Sequence, residues 1–400
     1  SNGQEGNVPK LRFPGFEGEW TKKRLSEVAT GFDYGMNAAA IKFDGTNQYI
    51  RITDIDDESR CYNQSNPVSP AGILDEKYLV GVNDILFART GASTGKSYLY
   101  KETDGKLYFA GFLIRVTVNA ENNSIFVFNT TLTQKYNKWV QLTSMRSGQP
   151  GINSQEYASY TDFYPMLNEQ NKIAKFLNMF ELRISKQRQL IETLKKYKRG
   201  LLDKIFPPKK DSLFPTVRLS KMADFLQGLT YSPIDIANSG YLVLRSSNIQ
   251  NAALSFDDCV YVNMEIPTHL QVKQGDIIMC VRNGSKKLVG KSAKIPCEMP
   301  MTTWGAFMMI IRSKIDCSYI YQYLNSQAFY SQVFKDTGTA TINQITKGIL
   351  NECELPLPPK NERDRIATLL DGFDKRIEST YFSLLKMQDL RKSLLQQLFI

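Results

Sequence analysis

The stretch "IAKFLNMFELRISKQRQLIETLKKYKRGLLDKI" at residues 173–205 is matched 193 positions later by "IATLLDGFDKRIESTYFSLLKMQDLRKSLLQQL" at residues 366–398. In both segments the apolar residues recur at spacings of 4-3-4-7-3-7-4, a heptad pattern with two polar interruptions. The interruptions also coincide, because Gln187 aligns with Thr380 and Lys198 aligns with Arg391. The pattern predicts two long amphipathic helices with equivalent apolar stripes.

Each predicted helix carries eight apolar residues that we expect to form a helix-pairing core. In the first helix they are Ile173, Leu177, Phe180, Ile184, Ile191, Leu194, Leu201 and Ile205. In the second helix they are Ile366, Leu370, Phe373, Ile377, Leu384, Met387, Leu394 and Leu398. A helix of about 38 residues is about 57 Å long, and a narrow stripe does not stabilise such a helix alone in water.

The two stripes therefore predict that the helices pair with each other as an antiparallel coiled coil. Because each helix follows its own globular half of the chain, antiparallel pairing would place the two halves at opposite ends. The alternative is that each helix packs only on its own half. The identical register of the two stripes over five heptads favours pairing.

The helix ends are marked by polar residues and prolines. Asn168 and Asn361 are predicted N-caps, and each is followed by an acid that suits the first turn. Pro207 and the proline after it are expected to stop the first helix.

An internal repeat also relates the segments that precede the helices. "RLSEVA" at 24–29 returns as "RLSKMA" at 218–223, and "DILFAR" at 84–89 returns as "DIIMCVR" at 276–282. Short β-branched and aromatic runs alternate with turn residues, and a short helix is expected to open each half. The fold class predicted is α+β, with two similar domains and a pseudo-two-fold internal repeat.

The repeat gives a plan with four segments. Residues 1–166 form the first globular domain, in which 1–10 is a polar lead-in expected to be flexible. Residues 167–208 form the central helix, 209–358 the second domain and 359–400 the C-terminal helix.

Composition narrows the class of protein. The 400 residues carry a formal net charge of +10, which favours an anionic partner such as nucleic acid. The sequence has neither a long apolar run nor a signal-peptide core, so no membrane association is expected. Six cysteines without a CxxC pair indicate reduced thiols and a cytoplasmic protein. His269 is the only histidine, which excludes a two-histidine zinc site, and no metal site is predicted.

Two loops resemble a phosphate-binding loop at first sight, "RTGASTGKS" at 89–97 and "RNGSKKLVGKS" at 282–292. A nucleotide cradle needs four residues between its glycines and a helix after it. The first loop has three residues between Gly91 and Gly95, and the second has five between Gly284 and Gly290. Both are followed by strand, turn or proline signals, so nucleotide binding is not expected.

A constant frame with variable basic loops instead suits recognition of a polyanion. Arginine and lysine contact phosphates or guanine edges, and small residues permit close backbone approach. The candidate DNA-binding residues are Arg51, Arg89, Ser93, Thr94, Lys96, Arg146, Arg245, Arg282, Asn283, Lys286, Lys287 and Lys291. For each of these residues alone, a solvated surface charge or polar group is the alternative.

Signals for catalysis are sparse. The sequence contains no methyltransferase-type (N/D)PP(Y/F) tetrapeptide, and "DEK" at 75–77 is only a fragment of a nuclease pattern. No catalytic residues are predicted.

The layout resembles the specificity subunit of type I restriction–modification systems. The resemblance rests on "LRFPGFEGEWTKKRLSEVA", on the "DILFARTG" and "DIIMCVRNG" segments, and on the helix starts "NEQNKIAKFLNMFELRI" and "NERDRIATLLDGFDKRI". The terminal "LLDKIFP" and "LLQQLFI" also belong to it.

This resemblance implies two target-recognition domains, each recognising one half of a bipartite, gapped site in double-stranded DNA. It implies no catalysis and no cofactor in this chain. Two modification subunits would supply S-adenosylmethionine-dependent adenine methylation, and two restriction subunits would use ATP and Mg²⁺. Because the loops of the two halves differ, we expect a non-palindromic target. The alternative from another class is a non-catalytic coiled-coil scaffold with two protein-binding heads, and a self-sufficient enzyme is a third, less favoured reading.

Overall fold

The computed structural model describes residues 7–145, 149–208, 211–334 and 344–400. The chain divides into two compact units. The first unit comprises Ser1–Gln187 and Ser383–Ile400, and the second comprises Arg188–Phe382. Each unit thus combines one globular half with parts of both long helices, whereas the sequence plan separated halves from helices.

The first unit contains ten strands and four short helices in its described residues, followed by a long helix that continues into the second unit. The strands are β1 (Thr21–Arg24), β2 (Ala29–Tyr34), β3 (Ala40–Lys42), β4 (Gln48–Ile50), β5 (Val68–Pro70), β6 (Asp84–Ala88), β7 (Ser97–Leu99), β8 (Leu107–Phe109), β9 (Leu113–Val118) and β10 (Thr161–Tyr164). The helices are α1 (Leu25–Val28), α2 (Ser124–Thr130), α3 (Gln134–Ser144), α4 (Ser154–Ser159) and the long α5 (Leu167–Ile205).

The second unit follows a similar order with two additional short strands. Its strands are β11 (Thr216–Arg218), β12 (Ala223–Gln227), β13 (Ile236–Ala237), β14 (Tyr241–Leu244), β15 (Ile249–Gln250), β16 (Ala253–Leu254), β17 (Tyr261–Val262), β18 (Ile277–Cys280), β19 (Ser292–Lys294), β20 (Thr302–Trp304), β21 (Met308–Ser313) and β22 (Glu354–Pro356). Its helices are α6 (Leu219–Met222), α7 (Cys317–Leu324), α8 (Gln327–Val333), α9 (Lys347–Glu352) and the long α10 (Lys360–Leu398). The short helices α1 and α6 confirm the predicted helix at the start of each half.

Single 3-10 turns connect several of these strands. In the first unit they lie at Ile52–Asp54, Glu76–Tyr78 and Glu102–Asp104. In the second unit they lie at Pro233–Asp235, Ser246–Asn248, Thr268–Leu270 and Lys286–Leu288.

The main sheet of each unit has four antiparallel strands in the same order. It runs β2-β9-β6-β7 in the first unit and β12-β21-β18-β19 in the second. A parallel pair also occurs in both units, as β4 with β8 and as β14 with β20. Helices and strands are thus mixed within each unit, which confirms the predicted α+β class and internal repeat.

The central strand of each main sheet is a continuous apolar run because both faces of the sheet are covered. In β6, Ile85 and Phe87 pack in one cluster with the helices, while Leu86 and Ala88 pack in a second cluster on the other face. The same alternation holds in β18, where Ile277 and Met279 join one cluster and Ile278 and Cys280 join another. Both faces of "DILFA" and "IIMC" are therefore core.

Within the first unit, α5 packs against the end of α10. Ile173 and Leu177 belong to the same core cluster as Leu395 and Leu398. Farther along α5, Glu181 forms a salt bridge with Arg391. Residues later in α5 thus contact residues earlier in α10, so these two segments are antiparallel.

The second unit contains the complementary pair of segments. Leu202 shares a core cluster with Ile366 and Leu370. Lys198 Nζ lies 2.5 Å from Asp374 Oδ1. This pair is also antiparallel, which confirms the predicted antiparallel pairing of long helices within each unit.

The predicted pairing residues lie on the inner side of both helices. Those that are buried are Ile173, Leu177, Ile184, Ile191, Ile366, Leu370, Leu384 and Leu398. Those that are half-buried are Phe180, Leu194, Leu201, Ile205, Phe373, Ile377, Met387 and Leu394. The heptad pattern missed further buried residues near the helix ends, where the globular parts widen the contact: Ala174, Leu202, Phe206, Ala367, Leu395 and Phe399.

The predicted helix caps were wrong. The helices begin at Leu167 and Lys360, so Asn168 and Asn361 lie in the first turn. The carbonyls of Met166 and Pro359 accept the first helical hydrogen bonds instead. Because an N-cap directly precedes the first helical residue, each helix starts two residues earlier than these caps predicted.

Two further observations concern the termini and the helices. Residues 1–6 of the predicted lead-in lie outside the described residues, and the Asn7 carbonyl accepts a 2.8 Å hydrogen bond from the backbone N–H of Trp20. Among the described residues, no helix combines the length and the apolar character needed to cross a membrane.

We expect Leu370→Ala to lower the free energy of unfolding of the second unit by about 2–5 kcal/mol, because Leu370 is fully buried in its core and truncation leaves a cavity. Its neighbour Leu369 is 49% exposed, so Leu369→Ala should change stability by no more than about 0.5 kcal/mol. Urea unfolding followed by circular dichroism measures both. Equal effects of the two substitutions would contradict the assigned helix face.

Candidate nucleic-acid interface

The two glycine-rich loops occupy equivalent places, since each joins the central strand of a main sheet to its edge strand. Residues 89–96 connect β6 to β7, and residues 281–291 connect β18 to β19. Gly95 and Gly290, which precede the edge strands, have φ of +87° and +89°. A strand follows each loop rather than the helix that a nucleotide cradle requires.

Arg89 opens the first loop beside an aromatic ring. Its guanidinium carbon lies 4.8 Å from the ring centroid of Tyr34, and its Nη1 donates a 3.3 Å hydrogen bond to the Gly111 carbonyl. Hydrogen bonding with Ser154 lowers the pKa of the Tyr34 phenol, and the Arg89 charge lowers it further. Arg89 is half-buried, so the ring and the carbonyl orient its guanidinium.

Arg282 takes the matching position in the second unit. The backbone N–H of Arg282 donates to the Phe307 carbonyl, just as that of Arg89 donates to the Phe112 carbonyl. The Arg282 guanidinium carbon lies 5.4 Å from the Phe307 ring centroid. Arg282 is exposed, and Asn283 beside it donates a 3.3 Å hydrogen bond from Nδ2 to Ser246 Oγ.

Exposed phenylalanines next to these arginines were not among the predicted residues. Phe112 and Phe307 are 64% and 59% exposed. Exposed aromatic rings beside cations are a feature of nucleic-acid surfaces. Their signal was present in the repeat, because each stands directly before the matched "LIR" and "MMIIR" runs.

The middle of the first loop is held by its own backbone. Thr94 Oγ1 donates a 2.7 Å hydrogen bond to the Gly91 carbonyl, and the Ser93 carbonyl accepts one from the Lys96 N–H. Both predicted contact residues, Ser93 and Thr94, are half-buried.

The placement of Lys96 argues against the predicted role in DNA contact. Only 8% of its side chain is exposed, its Nζ donates a 3.1 Å hydrogen bond to the Ile55 carbonyl, and it forms a salt bridge with Asp57. Contact with a phosphate would require breaking this ion pair. The sequence could not show this, because Asp57 lies 39 positions before Lys96 in a separate hairpin.

Arg51 and Arg245 stand at equivalent positions, each directly before a 3-10 turn. Arg51 makes a bidentate contact with Asp54, with both nitrogen–oxygen distances at 2.8 Å. The hydrogen bond with Asp54 raises the pKa of the Arg51 guanidinium. Arg245 Nη2 donates a 2.8 Å bond to Asp258. Both arginines are part-exposed and already paired with carboxylates, so a DNA phosphate would have to share each guanidinium group with its carboxylate.

The three predicted lysines of the second loop come together. Lys286, Lys287 and Lys291 line one open pocket of about 620 Å³, which aromatic and polar side chains complete. Lys286 Nζ lies 5.6 Å from the Phe334 ring centroid. The predicted contact residue Arg146 lies outside the described residues.

Of the predicted residues, the structure thus groups Arg282 and Asn283 at one end of the second loop and three lysines at the other. In the first unit it separates the half-buried Arg89 from the buried Lys96. Within the described ranges, no cluster of three or more histidine, cysteine or acidic side chains is arranged to hold a metal ion.

Comparison with known proteins gives a consistent result. A family model described as Type I restriction modification DNA specificity domain matches residues 17–196 and 271–384, which is more than half of the chain. The chain is 29% identical over 171 residues to the Type I restriction enzyme EcoKI specificity subunit of Escherichia coli (strain K12). That alignment covers 40% of this chain and 36% of the relative, so it spans about a third of the relative's length.

A second relative matches over a longer stretch. The Type I restriction enzyme MjaVIII specificity subunit of Methanocaldococcus jannaschii is 22% identical over 336 residues, which is 76% of each chain.

Two solved structures share the fold. The crystal structure of the Type-I restriction-modification system S subunit from M. genitalium gives a TM-score of 0.62 at 16% identity, covering 98% of this chain and 99% of that one. A chain from a study of complex assembly and conformational transition of the type I R-M system gives 0.57 at 17% identity, covering 97% of each chain.

We expect Gly95→Ala to destabilise the first unit by about 1–3 kcal/mol more than Gly91→Ala, because its Cβ would lie 2.5 Å from Val140 Cγ1. Gly91 also has positive φ, but its Cβ would meet only Gln149 at 3.5 Å. Both substitutions therefore introduce backbone strain, and only Gly95→Ala adds a steric clash with Val140. Urea unfolding of both variants measures the difference, and equal destabilisation would show that Val140 does not confine the loop.

Proposed function

The chain belongs to the family described as type I restriction modification DNA specificity domain, and from this premise we propose that it is the DNA-specificity subunit of a type I restriction–modification complex. Each unit would recognise one half of a bipartite, gapped site in double-stranded DNA. The chain would thereby direct adenine methylation and restriction by its partner subunits.

The observation that carries this proposal is the pair of matched loops with different contents on equivalent sheets. Arg89 and Arg282 take the same place in each unit, while the residues between the loop glycines differ in number, size and charge. Side chains at such positions contact base edges and phosphates, and different side chains select different bases. The proposed target is therefore non-palindromic.

The long helices are proposed to set the gap between the two half-sites. Each has 39 residues and so is about 58 Å long. Recognition modules engage half-sites about one helical turn of DNA, roughly 34 Å, or more apart. A helix pair of this length is compatible with a gap of that order.

The proposed partners are two modification subunits and two restriction subunits. Methylation would use S-adenosylmethionine in the former, cleavage would use ATP and Mg²⁺ in the latter, and this chain would be non-catalytic. Exposed apolar side chains on α5 and α10, among them Met179, Leu182, Tyr197, Leu369 and Phe382, support docking of protein partners. Association with DNA and these subunits implies a cytoplasmic location.

The alternative function is a coiled-coil scaffold with two protein-binding heads, which the paired helices alone would also serve. The basic loops favour DNA. The test that identifies the target is methylome sequencing of cells that express this chain with its modification subunit. Methylated adenines in one bipartite motif support the proposal, and their absence from any such motif contradicts it.

Removing one heptad from each helix, residues 184–190 and 377–383, should shorten the recognised gap by about 3 base pairs. Seven residues rise about 10.5 Å, DNA rises about 3.4 Å per base pair, and a whole heptad preserves the register of the stripe. Methylome sequencing reads the gap directly. The length-neutral substitution Glu192→Gln, at an exposed position, should leave the gap as it is. An unchanged gap in the shortened chain would refute the spacer role.

Binding of duplex DNA by the full chain should weaken by about a thousandfold or more between 50 and 200 mM salt, as for proteins that neutralise about six to ten phosphates. Fluorescence anisotropy at a series of salt concentrations measures this dependence. A matched duplex with a neutral methylphosphonate backbone is the control and should bind weakly at every salt concentration. Affinity that depends on neither the salt concentration nor the charge of the DNA backbone would favour the scaffold function.

A further inference from the structure

The pocket in the second unit differs from the equivalent place in the first unit, although both are built on the same frame. Tyr330 OH donates a 3.2 Å hydrogen bond to the Gly290 carbonyl, as Tyr136 OH donates a 2.9 Å bond to the Gly95 carbonyl. Lys291 and Ser292 follow Gly290 just as Lys96 and Ser97 follow Gly95. The two places can therefore be compared residue by residue.

In the first unit the polar groups of this place satisfy one another. Lys96 is paired with Asp57, and Ser97 Oγ lies 2.6 Å from Thr131 Oγ1. Arg60 is half-buried and interacts electrostatically with Tyr136, and burial lowers the pKa of its guanidinium. The first unit thus supplies internal partners for its own lysine and serine.

The second unit has no counterpart of the Asp57 carboxylate or of Arg60 because one hairpin differs. Ile55 pairs with Tyr62 across six residues, "DDESRC", whereas Ile249 pairs with Leu254 across four, "QNAA". The shorter hairpin has Asn251 where the longer one has Asp57, and it carries neither an acid nor an arginine. In place of a long side chain, Ala252 lines the pocket.

Two groups of the second unit, the hydroxyl of Ser292 and the ammonium group of Lys291, lack the partners seen in the first unit within the described residues. Ser292 is 2% exposed, and its Oγ has no hydrogen-bond partner among the described residues. Asn325, at the position of Thr131, donates its amide to the Tyr321 carbonyl instead. Lys291 forms no ion pair in the described part of the chain, and Lys287 is exposed at the pocket rim.

We propose that this pocket is a phosphate-binding site, built from Lys287, Lys291 and Ser292, that holds a backbone phosphate of DNA bound to the second unit. The inference rests on the proposed function for the source of the phosphate, because the lysines belong to the loop assigned to DNA. Lysine ammonium groups that line one pocket together with a buried hydroxyl suit a tetrahedral phosphate anion or diester. The volume of about 620 Å³ lies in the range of ligand sites.

The proposal makes the two recognition units unequal. In the first unit the Asp57 carboxylate takes the place of the ligand, and the second unit binds an external anion. The second unit therefore contributes one more phosphate contact to DNA binding than its repeat.

The test compares Lys291→Gln with Lys96→Gln, which removes the same charge at the equivalent position of the other unit. DNA affinity of the full chain is measured for a duplex of arbitrary sequence at a series of salt concentrations. Lys291→Gln should make the plot of log affinity against log salt less steep by about 0.9, the value of one phosphate contact. Lys96→Gln should leave that slope unchanged.

Asn251→Asp provides a second variant that needs no change of size. It puts a carboxylate where the first unit has Asp57, at a left-handed position that aspartate tolerates. This variant should lower the slope as Lys291→Gln does, and thermal unfolding checks that it folds. Equal slopes in wild type, Lys291→Gln and Asn251→Asp would overturn the proposal, as would equal losses from Lys291→Gln and Lys96→Gln.

Inorganic phosphate serves as an independent probe, measured by equilibrium dialysis against the full chain. Should the chain bind no DNA, the proposed function fails, and phosphate binding that is lost in Lys291→Gln but kept in Lys96→Gln still supports the pocket. Absence of phosphate binding by the wild type would then overturn it. A third outcome is that phosphate binding is lost in Lys291→Gln and kept in Lys96→Gln while the salt dependence of DNA affinity is the same in all variants. The pocket would then bind a free phosphate compound, and the proposal that it holds a DNA backbone phosphate would be overturned.

Discussion

The narrow apolar stripe shared by α5 and α10 is the constraint on which both units depend. In the first unit, Ile173 and Leu177 share a core with Leu395 and Leu398, which lie more than two hundred residues away in the chain. In the second unit, Leu202 shares a core with Leu370. Because a stripe this narrow cannot stabilise a helix of 39 residues alone, neither globular core is closed until the other long helix contributes its segment. The first unit therefore includes the last residues of the chain.

The polar interruptions in the stripes explain why the helices pair in one register. Lys198 pairs with Asp374, and Arg391 pairs with Glu181. Adding the repeat offset of 193 to Glu181 and Lys198 gives Asp374 and Arg391, so the two salt bridges are the same interaction made once in each unit. An apolar stripe alone tolerates a shift by one heptad, but such a shift would separate both charged pairs and leave half-buried charges unpaired. The ion pairs thus contribute register more than stability.

Most of the correct predictions from the sequence rest on the periodic spacing of its apolar residues. The long helices, their antiparallel pairing, the α+β class and the repeated frame follow from spacing patterns, because heptads and alternating strands impose their geometry locally. The helix starts were wrong by two residues, because the backbone carbonyls of Met166 and Pro359, whose side chains carry no cap signal, accept the first helical hydrogen bonds. Lys96 was assigned to the surface because its partner, Asp57, comes from a hairpin remote in sequence. Loop residues in general resist such prediction, since one carboxylate from elsewhere decides whether a lysine faces solvent or the interior.

The repeat separates what stabilises each unit from what distinguishes the two units. Phe87 and Met279 differ in shape, yet both fill the core under equivalent central strands, and Gly95 and Gly290 share the same left-handed backbone. The differences collect instead in the hairpins "DDESRC" and "QNAA" and in the loops "AST" and "SKKLV". These segments connect strands and add little buried apolar area to the cores. Their length and charge can therefore change with little loss in the free energy of unfolding. At one such position the first unit has Asp57, which forms an internal ion pair, and the second unit has Asn251 beside an open pocket lined by lysines. A duplicated frame of this kind therefore lets the two halves acquire different ligand surfaces while the helix pairing that they share stays constant.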